Sequence, residues 1–320
     1  MRRAGLTPPR GTGRAPLKPL LLRLTLPASH AIIRCGRPGK PGRQALQAGK
    51  NRDGMRQEMR YGVCLGLKKP ERIHSAAAAG FDYIECGFRD VAEISEEGMS
   101  QLMRQLDAEG IGCEAANGFI PSSMPIYRPY SETGIDRYVR AGFRACRAIG
   151  IKTVVFGSGG ARNVPDGMSF SDCFRKLIDF IRYTAAPAAD AAGVTLAVEP
   201  LTRGECNIIN TLREGAELAA ASGCGNTGVT ADIYHMHNCG DGPDEIRLLG
   251  AAVKHGHISF PLEREGRNRT FPADAGEYGY REFLAALRYS GVTRCSVEAG
   301  TSDFASDCAA AAKMLRSIVL

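Results

Sequence analysis

The feature that most constrains this chain of 320 residues is an alternation that begins near residue 60. Short apolar segments of strand length are followed, eight times, by longer segments with helical periodicity. The predicted strands lie in segments 61–66, 81–87, 111–119, 152–160, 194–199, 228–235, 253–260 and 293–300. The predicted helices lie at 70–80, 95–109, 134–149, 170–192, 211–222, 243–251, 279–290 and 304–318.

Regular alternation of this kind predicts an α/β fold in which parallel strands are joined by helical crossovers. Eight such units in about 260 residues predict a closed (β/α)₈ barrel, for which about 250 residues is typical. An open doubly wound sheet is the alternative. It is less favoured because no Gly-x-Gly-x-x-Gly sequence follows the first strand.

The basic charge of the chain is concentrated at its start. Residues 1–58 contain 13 Lys and Arg but only two acids, Asp53 and Glu58. The whole chain has 41 basic and 34 acidic residues, which leaves 28 basic and 32 acidic ones for residues 59–320. Because the part expected to fold is net acidic, the charge argues against a nucleic-acid partner.

The first 54 residues are rich in Arg, Pro and Gly and have no sustained apolar period. Such a composition buries too little surface to offset the entropy of ordering, so disorder is expected there. Three interpretations compete: sequence translated upstream of a true start at Met55 or Met59, an Arg-rich targeting peptide, and a nucleic-acid-binding arm. The first is preferred. We therefore expect a disordered extension at 1–58 and one catalytic domain at 59–320.

The cysteines and the hydropathy pattern indicate the kind of environment. The chain has 11 cysteines without any Cys-x-x-Cys pair, which is typical of reduced thiols in a cytoplasmic protein. No segment approaches the roughly 20 apolar residues that a membrane span requires. We expect a soluble cytoplasmic protein without a membrane partner.

Four successive late strands end in side chains that could bind a metal: Glu199, Asp232, His257 and Glu298. Because active sites of this fold lie at the C-terminal ends of the strands, these side chains are expected to converge. Three carboxylates so close together would repel one another unless a cation lay between them. An oxygen-rich shell with one imidazole favours Mg²⁺, Mn²⁺ or Co²⁺ over a cysteine-rich zinc site. We predict one divalent ion bound by these four residues.

Other polar residues near strand ends are less specific. Asp232 taken alone is more typical of a helix N-cap or an ion pair than of a metal ligand. His255 and His257 are two apart on a strand and therefore face the same way, so one of them could be a ligand and the other a supporting or core histidine. Glu85 and Glu114, on early strands, are open candidates for lining the site.

Four motifs carry a resemblance to a known family: "LAVEPLTRGE", "GVTADIYHMH", "KHGHIS" and "RCSVEAG". In this order they closely resemble strands of the sugar phosphate isomerase/epimerase superfamily, whose members have a xylose isomerase-like TIM barrel. The best-understood relatives are the D-tagatose 3-epimerase-like ketose 3-epimerases. The likeness covers roughly residues 60–318.

The resemblance implies a function and roles for particular residues. One divalent metal would be bound by Glu199, Asp232, His257 and Glu298, and Glu199 and Glu298 would be the acid/base pair. His235, from the Asp-x-x-His motif, and Glu205, six residues after the Glu of Glu-Pro-Leu, would contact the substrate. Relatives are often dimers or tetramers, so a homo-oligomer is an open expectation.

The implied reaction is the exchange of a proton next to a ketose carbonyl through an enediolate that the metal stabilises. Exchange on opposite faces by two carboxylates gives epimerisation at C3 of a small sugar. The same ligands support an aldose–ketose or hydroxypyruvate-type isomerase and an inosose-type dehydratase, which remain alternatives.

The chain departs from the ketose 3-epimerases where the substrate is chosen. Those enzymes commonly have an Arg six residues after the metal-binding His, but position 263 is Glu. Arg264, Arg267 and Arg269 follow in the same loop, and Arg264 and Arg267 are predicted to reach the substrate. The glycine-rich segment 157–167, with Arg162, could instead cradle an anionic group, although an ordinary loop is the simpler interpretation.

Two remote alternatives have a different function. Endonucleases that act on abasic DNA share the barrel, but they bind three metals with extra histidines on early strands, and strands two and three here contain no His. A barrel that has lost its activity and serves only in binding is the other. The presence of all four ligands argues against it.

Overall fold

The structure is a computed structural model that describes residues 58–320, apart from Glu265 and Arg267. The predicted disorder of the extension therefore concerns residues that, up to position 57, lie outside the described part of the chain. The predicted substrate contact of Arg267 lies outside it as well.

Eight parallel strands form a closed barrel in sequence order, which confirms the predicted fold. The first strand closes the barrel because it pairs with both the second and the eighth. The strands are β1 (Arg60–Leu65), β2 (Tyr83–Gly87), β3 (Gly112–Asn117), β4 (Thr153–Phe156), β5 (Thr195–Val198), β6 (Thr227–Asp232), β7 (Val253–Ile258) and β8 (Arg294–Val297).

Each strand is followed by at least one helix. The helices of nine residues or more are α1 (Glu71–Ala79), α3 (Glu96–Glu109), α5 (Ile135–Ile149), α7 (Phe170–Phe180), α9 (Leu212–Ser222), α12 (Tyr280–Tyr289) and α13 (Phe304–Ser317). The shorter ones are α2 (Phe88–Ala92), α4 (Tyr130–Thr133), α6 (Gly159–Arg162), α8 (Ala186–Ala192), α10 (Ile233–Cys239) and α11 (Pro243–Leu249). A single 3₁₀ turn, Gly250–Ala252, precedes β7.

One predicted helix is interrupted. The segment 170–192 forms α7, a π-helical turn at Ile181–Ala185, and α8. The N–H of Ala186 bonds to the carbonyl of Ile181, five residues back. Pro187 follows directly; because proline lacks an N–H and its ring crowds the preceding turn, a wider turn at this point relieves the conflict.

The N-terminal end of the barrel is joined by an ion-pair network. Arg60 and Arg294 stand at the first positions of β1 and β8, and both bind the carboxylate of Glu114 on β3. The Arg294 Nε to Glu114 Oε2 distance is 2.6 Å. Glu114, an open candidate for lining the site, therefore binds two arginines at the N-terminal end of the barrel, whereas the site is expected at the C-terminal end.

No helix in the described range is both long and apolar enough to cross a bilayer. The ten cysteines within that range are all free thiols.

Candidate metal centre at the C-terminal end of the barrel

The structure brings the four predicted metal ligands together. One ligand atom each from Glu199, Asp232, His257 and Glu298 lies within 4.8 Å of the other three. Glu199 and Glu298 directly follow β5 and β8, Asp232 ends β6, and His257 is the fifth residue of β7. Because parallel strands of a barrel end at one rim, their terminal side chains share that rim.

The imidazole of His257 faces all three carboxylates through one nitrogen. Its Nδ1 lies 2.8 Å from Oε1 of Glu199, 3.3 Å from Oε2 of Glu298 and 3.5 Å from Oδ2 of Asp232. His257 is fully buried, and the side chains of Glu199 and Asp232 are nearly so. The cluster therefore lies below the rim, where charge interactions are weakly screened.

Burial and charge have opposite effects on these acids. Burial, reinforced by the negative charge of Glu298, raises the pKa of Glu199. Burial also acts to raise the pKa values of Asp232 and Glu298. At Asp232, burial is outweighed by interactions with His235, His257 and Arg269. At Glu298, it is outweighed by interactions with Arg269 and His257. The pKa values of both acids are therefore lowered. Burial disfavours charge on His257, but Glu85 and Glu298 outweigh it and raise its pKa well above the usual value.

The two oxygens of Asp232 have different partners. Its Oδ1 accepts hydrogen bonds from the backbone N–H groups of Tyr234 (2.7 Å) and His235 (3.2 Å) and so caps α10. Because α10 begins directly after Asp232, β6 ends at Asp232, whereas the predicted strand segment continued to residue 235. Oδ2 remains directed to the site, so the helix-cap interpretation and the site interpretation of Asp232 are both compatible with the structure.

Among the described arginines of the loop, Arg269 reaches the cluster. Its Nη1 lies 3.1 Å from Oδ2 of Asp232 and 3.0 Å from Oε2 of Glu298, and its guanidinium lies over the ring of Tyr234 at 5.0 Å. Its backbone carbonyl accepts a hydrogen bond from the N–H of Gly300. Burial acts to lower the pKa of Arg269, but the surrounding carboxylates raise it further above its already high value.

Arg264 has other partners. Its Nη2 donates to Oε2 of Glu277 at 2.7 Å, and its guanidinium stacks on Phe260 at 3.8 Å. Within the described range no hydrogen bond or ion pair joins Arg264 to the four strand-end residues. The structure therefore does not bring this predicted substrate residue into contact with the cluster.

The two substrate residues implied by the resemblance lie near the cluster in different ways. His235 is buried, and its Nδ1 accepts a hydrogen bond from the N–H of Thr202, which leaves Nε2 for another partner. Glu205 is exposed. Burial, reinforced by the negative charge of Glu205, raises the pKa of Tyr234.

Two further polar residues contact the cluster: Asn117, which the sequence did not indicate, and Glu85, an open candidate. Nδ2 of Asn117, at the end of β3, donates to Oε1 of Glu298 at 2.9 Å. Glu85, on β2, contacts two histidines: its Oε1 lies 2.9 Å from Nε2 of His257, and its Oε2 lies 2.9 Å from Nε2 of His255. Asn117 is the last residue of β3, so the criterion that selected Glu199, a polar residue at a strand end, would have found it as well.

The hydrogen-bond partners of the Arg162 side chain are backbone carbonyl groups. Its guanidinium is fully buried and donates to the carbonyl oxygens of Phe156 (2.7 Å) and Glu199 (2.6 Å). These bonds tie the end of β4 to the residue that follows β5. They do not support the suggestion that this side chain helps to cradle an anionic substrate.

The donor set suits a hard divalent cation. Three carboxylates and one imidazole nitrogen converge, and such oxygen-rich sets are typical of Mg²⁺ and Mn²⁺. Oε2 of Glu298 is buried and, among the described residues, accepts no hydrogen bond, although Nη1 of Arg269 is near. A second group, Cys64 with Glu85 and His257, is less suitable because both oxygens of Glu85 are already bonded to imidazoles.

Comparisons with known proteins agree with this geometry. The sequence model of the xylose isomerase-like TIM barrel family matches residues 73–318. A D-psicose 3-epimerase of Agrobacterium fabrum is 27% identical over 226 residues, which are 68% of this chain and 73% of that protein. An L-ribulose 3-epimerase of Mesorhizobium japonicum is 28% identical over 197 residues, 59% of this chain and 62% of the relative. The latter match thus spans less than two thirds of that protein.

A solved structure shares the fold. The crystal structure of a D-psicose 3-epimerase in the presence of D-fructose aligns with a TM-score of 0.68 at 20% identity. The alignment covers 81% of this chain and 97% of the other. At this identity the likeness concerns the architecture.

Proposed function

This chain belongs to the xylose isomerase-like TIM barrel family, and we propose that it is a divalent-metal-dependent sugar epimerase that inverts a ketose at C3. The observation that carries the proposal is the convergence of Glu199, Asp232, His257 and Glu298 at the mouth of the barrel. The relatives named as 3-epimerases support the isomerase class and a small sugar as substrate.

The four converging residues would hold one divalent ion. When bound, the ion supplies a Lewis acid that stabilises negative charge developing on neighbouring substrate oxygens. Asn117 keeps one oxygen of Glu298 engaged at 2.9 Å and so limits the orientations open to that carboxylate. Arg162 donates a hydrogen bond to the backbone carbonyl of Glu199 and so limits the movement of the backbone that carries this carboxylate.

Glu199 and Glu298 are the proposed acid/base pair. They extend from β5 and β8, which are separated around the barrel by β6 and β7. The two carboxylates therefore approach a sugar in the mouth from different sides, as inversion requires: one removes the proton from C3 and the other returns a proton to the opposite face. The reaction passes through an enediolate and leaves the carbon skeleton unchanged.

Three further residues are proposed to contact the substrate. His235 and Glu205 are retained from the resemblance. Arg269 is added because its guanidinium lies within 3.1 Å of the carboxylates of Asp232 and Glu298, where it could bind a sugar oxygen. Since Arg264 is engaged by Glu277, we assign it no contact in this proposal.

The test is carbon-bound deuterium uptake. The full-length protein, stripped of metal and reloaded with Mg²⁺ or Mn²⁺, is incubated in D₂O with free and phosphorylated ketoses, inososes and hydroxypyruvate, and the products are analysed by NMR after the metal is removed. Deuterium at C3 together with the C3 epimer is expected. Label at C1 or C2 with an aldose would instead establish an aldose–ketose isomerase, and loss of water from an inosose would establish a dehydratase.

Two controls sharpen the assignment. The metal-stripped protein should show no exchange, and re-addition of metal should restore it. Metal content should be one ion per chain, whereas three would favour the phosphodiester chemistry of abasic-site endonucleases. One bound ion with no exchange on any substrate would contradict the epimerase proposal.

A further inference from the structure

Glu85 is buried beneath the metal-ligand cluster and bonded to two histidines. Its side chain and those of His255 and His257 are 0% exposed. Oε1 lies 2.9 Å from Nε2 of His257, and Oε2 lies 2.9 Å from Nε2 of His255. Both oxygens of one carboxylate are thus occupied by imidazole nitrogens, and the side chain is closed off from solvent.

The two nitrogens of His257 have different partners. Nδ1 faces Glu199, Asp232 and Glu298, while Nε2 faces Glu85. A metal ion and a proton cannot share Nδ1, because a ligating nitrogen must offer its lone pair. In the neutral imidazole the proton must then sit on Nε2, where a buried N–H requires an acceptor.

We infer that Glu85 is a positioning residue that accepts the Nε2 proton of His257 and thereby holds Nδ1 unprotonated and directed at the metal. The inference rests on the metal site of the proposed function. A carboxylate that accepts the second N–H of a metal-binding histidine fixes both the tautomer and the orientation of the ring. Glu85 is the only described group placed within hydrogen-bond distance of Nε2.

The orientation of Glu85 is fixed in turn by residues of other strands. His255, two residues before His257 on β7, binds Oε2 of Glu85. Oγ of Ser296 on β8 lies 3.4 Å from Nε2 of His255 and 2.9 Å from the hydroxyl of Tyr83 on β2. This buried chain of hydrogen bonds links β2, β7 and β8 and leaves Glu85 little freedom to turn away from His257.

The variant that tests the role is Glu85→Gln. Glutamine keeps the size of the side chain but replaces one acceptor oxygen by an NH₂ donor and removes the negative charge. At most one imidazole N–H then keeps its acceptor, and the hydrogen bond to His257 is no longer charge-assisted. The matched control is Glu114→Gln, which also removes a carboxylate with two partners from a barrel strand, but at the opposite end. Thermal unfolding of both variants establishes that they are folded.

The first readout is the Kd for Mn²⁺, measured by calorimetry on the full-length protein without substrate. Glu85→Gln should raise Kd by about 10- to 100-fold, the usual effect of removing such a partner, and Glu114→Gln should keep the wild-type Kd. An unchanged Kd in folded Glu85→Gln would overturn the inference. So would an equal loss in both variants, because that would indicate a general effect of destabilising the barrel.

The second readout needs no variant of Glu85. In the ¹⁵N-histidine-labelled wild-type protein saturated with Mg²⁺, the long-range ¹H–¹⁵N correlations of His257 should show a proton on Nε2 and none on Nδ1. The signals are assigned by their absence in His257→Gln. A proton on Nδ1 would overturn the inference even if Glu85→Gln does not fold.

These readouts separate the inference from the proposed function. Metal binding that depends on Glu85, without exchange on any sugar, would leave the inference standing and contradict the epimerase proposal. Exchange at C3, together with the same Kd for Mn²⁺ in the wild type and in Glu85→Gln, would support the epimerase proposal and contradict the inference. A wild-type protein that binds no divalent ion would overturn both.

Discussion

Gly157 packs directly against the carboxylate of Glu199. A β-carbon placed on Gly157 would lie 2.5 Å from Oε2 of Glu199 and 3.5 Å from Cδ2 of Leu201. Gly157 immediately follows β4, and Glu199 immediately follows the neighbouring strand β5. The absence of a side chain at position 157 therefore defines the space in which a proposed catalytic carboxylate stands.

Gly157→Ala should displace Glu199 without unfolding the barrel, because the atom in the way is the end of a side chain. A shift of about 1 Å in a catalytic group can cost about 100-fold in rate, so a loss of that order in kcat/KM is expected. The Kd for Mn²⁺ should rise as well. The control is Gly225→Ala, where a β-carbon would meet nothing within 4 Å; equal activity in the two variants would contradict the proposed role of Glu199.

Glu199→Gln and Glu298→Gln should each lower turnover by at least about 100-fold, since proton transfer by a positioned group contributes roughly 10²- to 10⁴-fold. Both should be assayed at saturating metal, because each residue is also a proposed ligand. Deuterium uptake at C3 and circular dichroism are the measurements. Glu93→Gln, in an exposed pair with Arg89, is the control. Substantial exchange in either active-site variant would disprove the acid/base pair.

Arg269→Gln and Arg264→Gln separate the two loop arginines. Arg269 lies against Asp232 and Glu298, so its loss should raise KM for the sugar by about tenfold, the effect of removing one charged hydrogen bond of roughly 1.5 kcal/mol. Arg264 bonds to Glu277, and its replacement should leave KM nearly unchanged. Steady-state kinetics on both variants decide the matter, and the opposite pattern would restore Arg264 as the substrate contact.

Arg162→Ala should destabilise the fold. The change leaves the buried carbonyls of Phe156 and Glu199 without their donor, and each such group costs about 1–3 kcal/mol. A decrease of at least about 2 kcal/mol in the free energy of unfolding is expected, measured by urea titration. Arg175→Ala, on the exposed face of α7, should change it little. Equal stability of the two variants would show that the buried guanidinium contributes nothing.

The sequence was sufficient to predict the barrel and the residues that converge in it. Eight alternating units led to the closed sheet, and once the sheet was parallel, the position of Glu199, Asp232, His257 and Glu298 at strand ends placed them at one rim. No tertiary detail was required for that step, because the barrel geometry itself sets which ends meet. Their roles in metal binding and proton transfer stay predictions until the experiments above are done.

The contacts that depend on side-chain reach could not be predicted in the same way. Glu85 and Glu114 are both glutamates on early strands, yet one points to the histidines of β7 and the other to arginines at the opposite end. Strand periodicity gives the face of a residue but not the direction of a long side chain along the barrel axis. The choice of Arg269 over Arg264 depends likewise on Glu277 and on the path of the loop, which spacing does not encode.

The pairing of β1 with β8 has a consequence for the order of events during protein synthesis. Glu298 directly follows the last strand, so it reaches the other three ligands only when that strand has emerged and closed the sheet against the first. A nascent chain that ends before β8 would carry Glu199, Asp232 and His257 without their fourth partner. In a newly made molecule the complete ligand set would therefore form only after all eight strands have been synthesised, and capture of a metal ion would report that the barrel has closed.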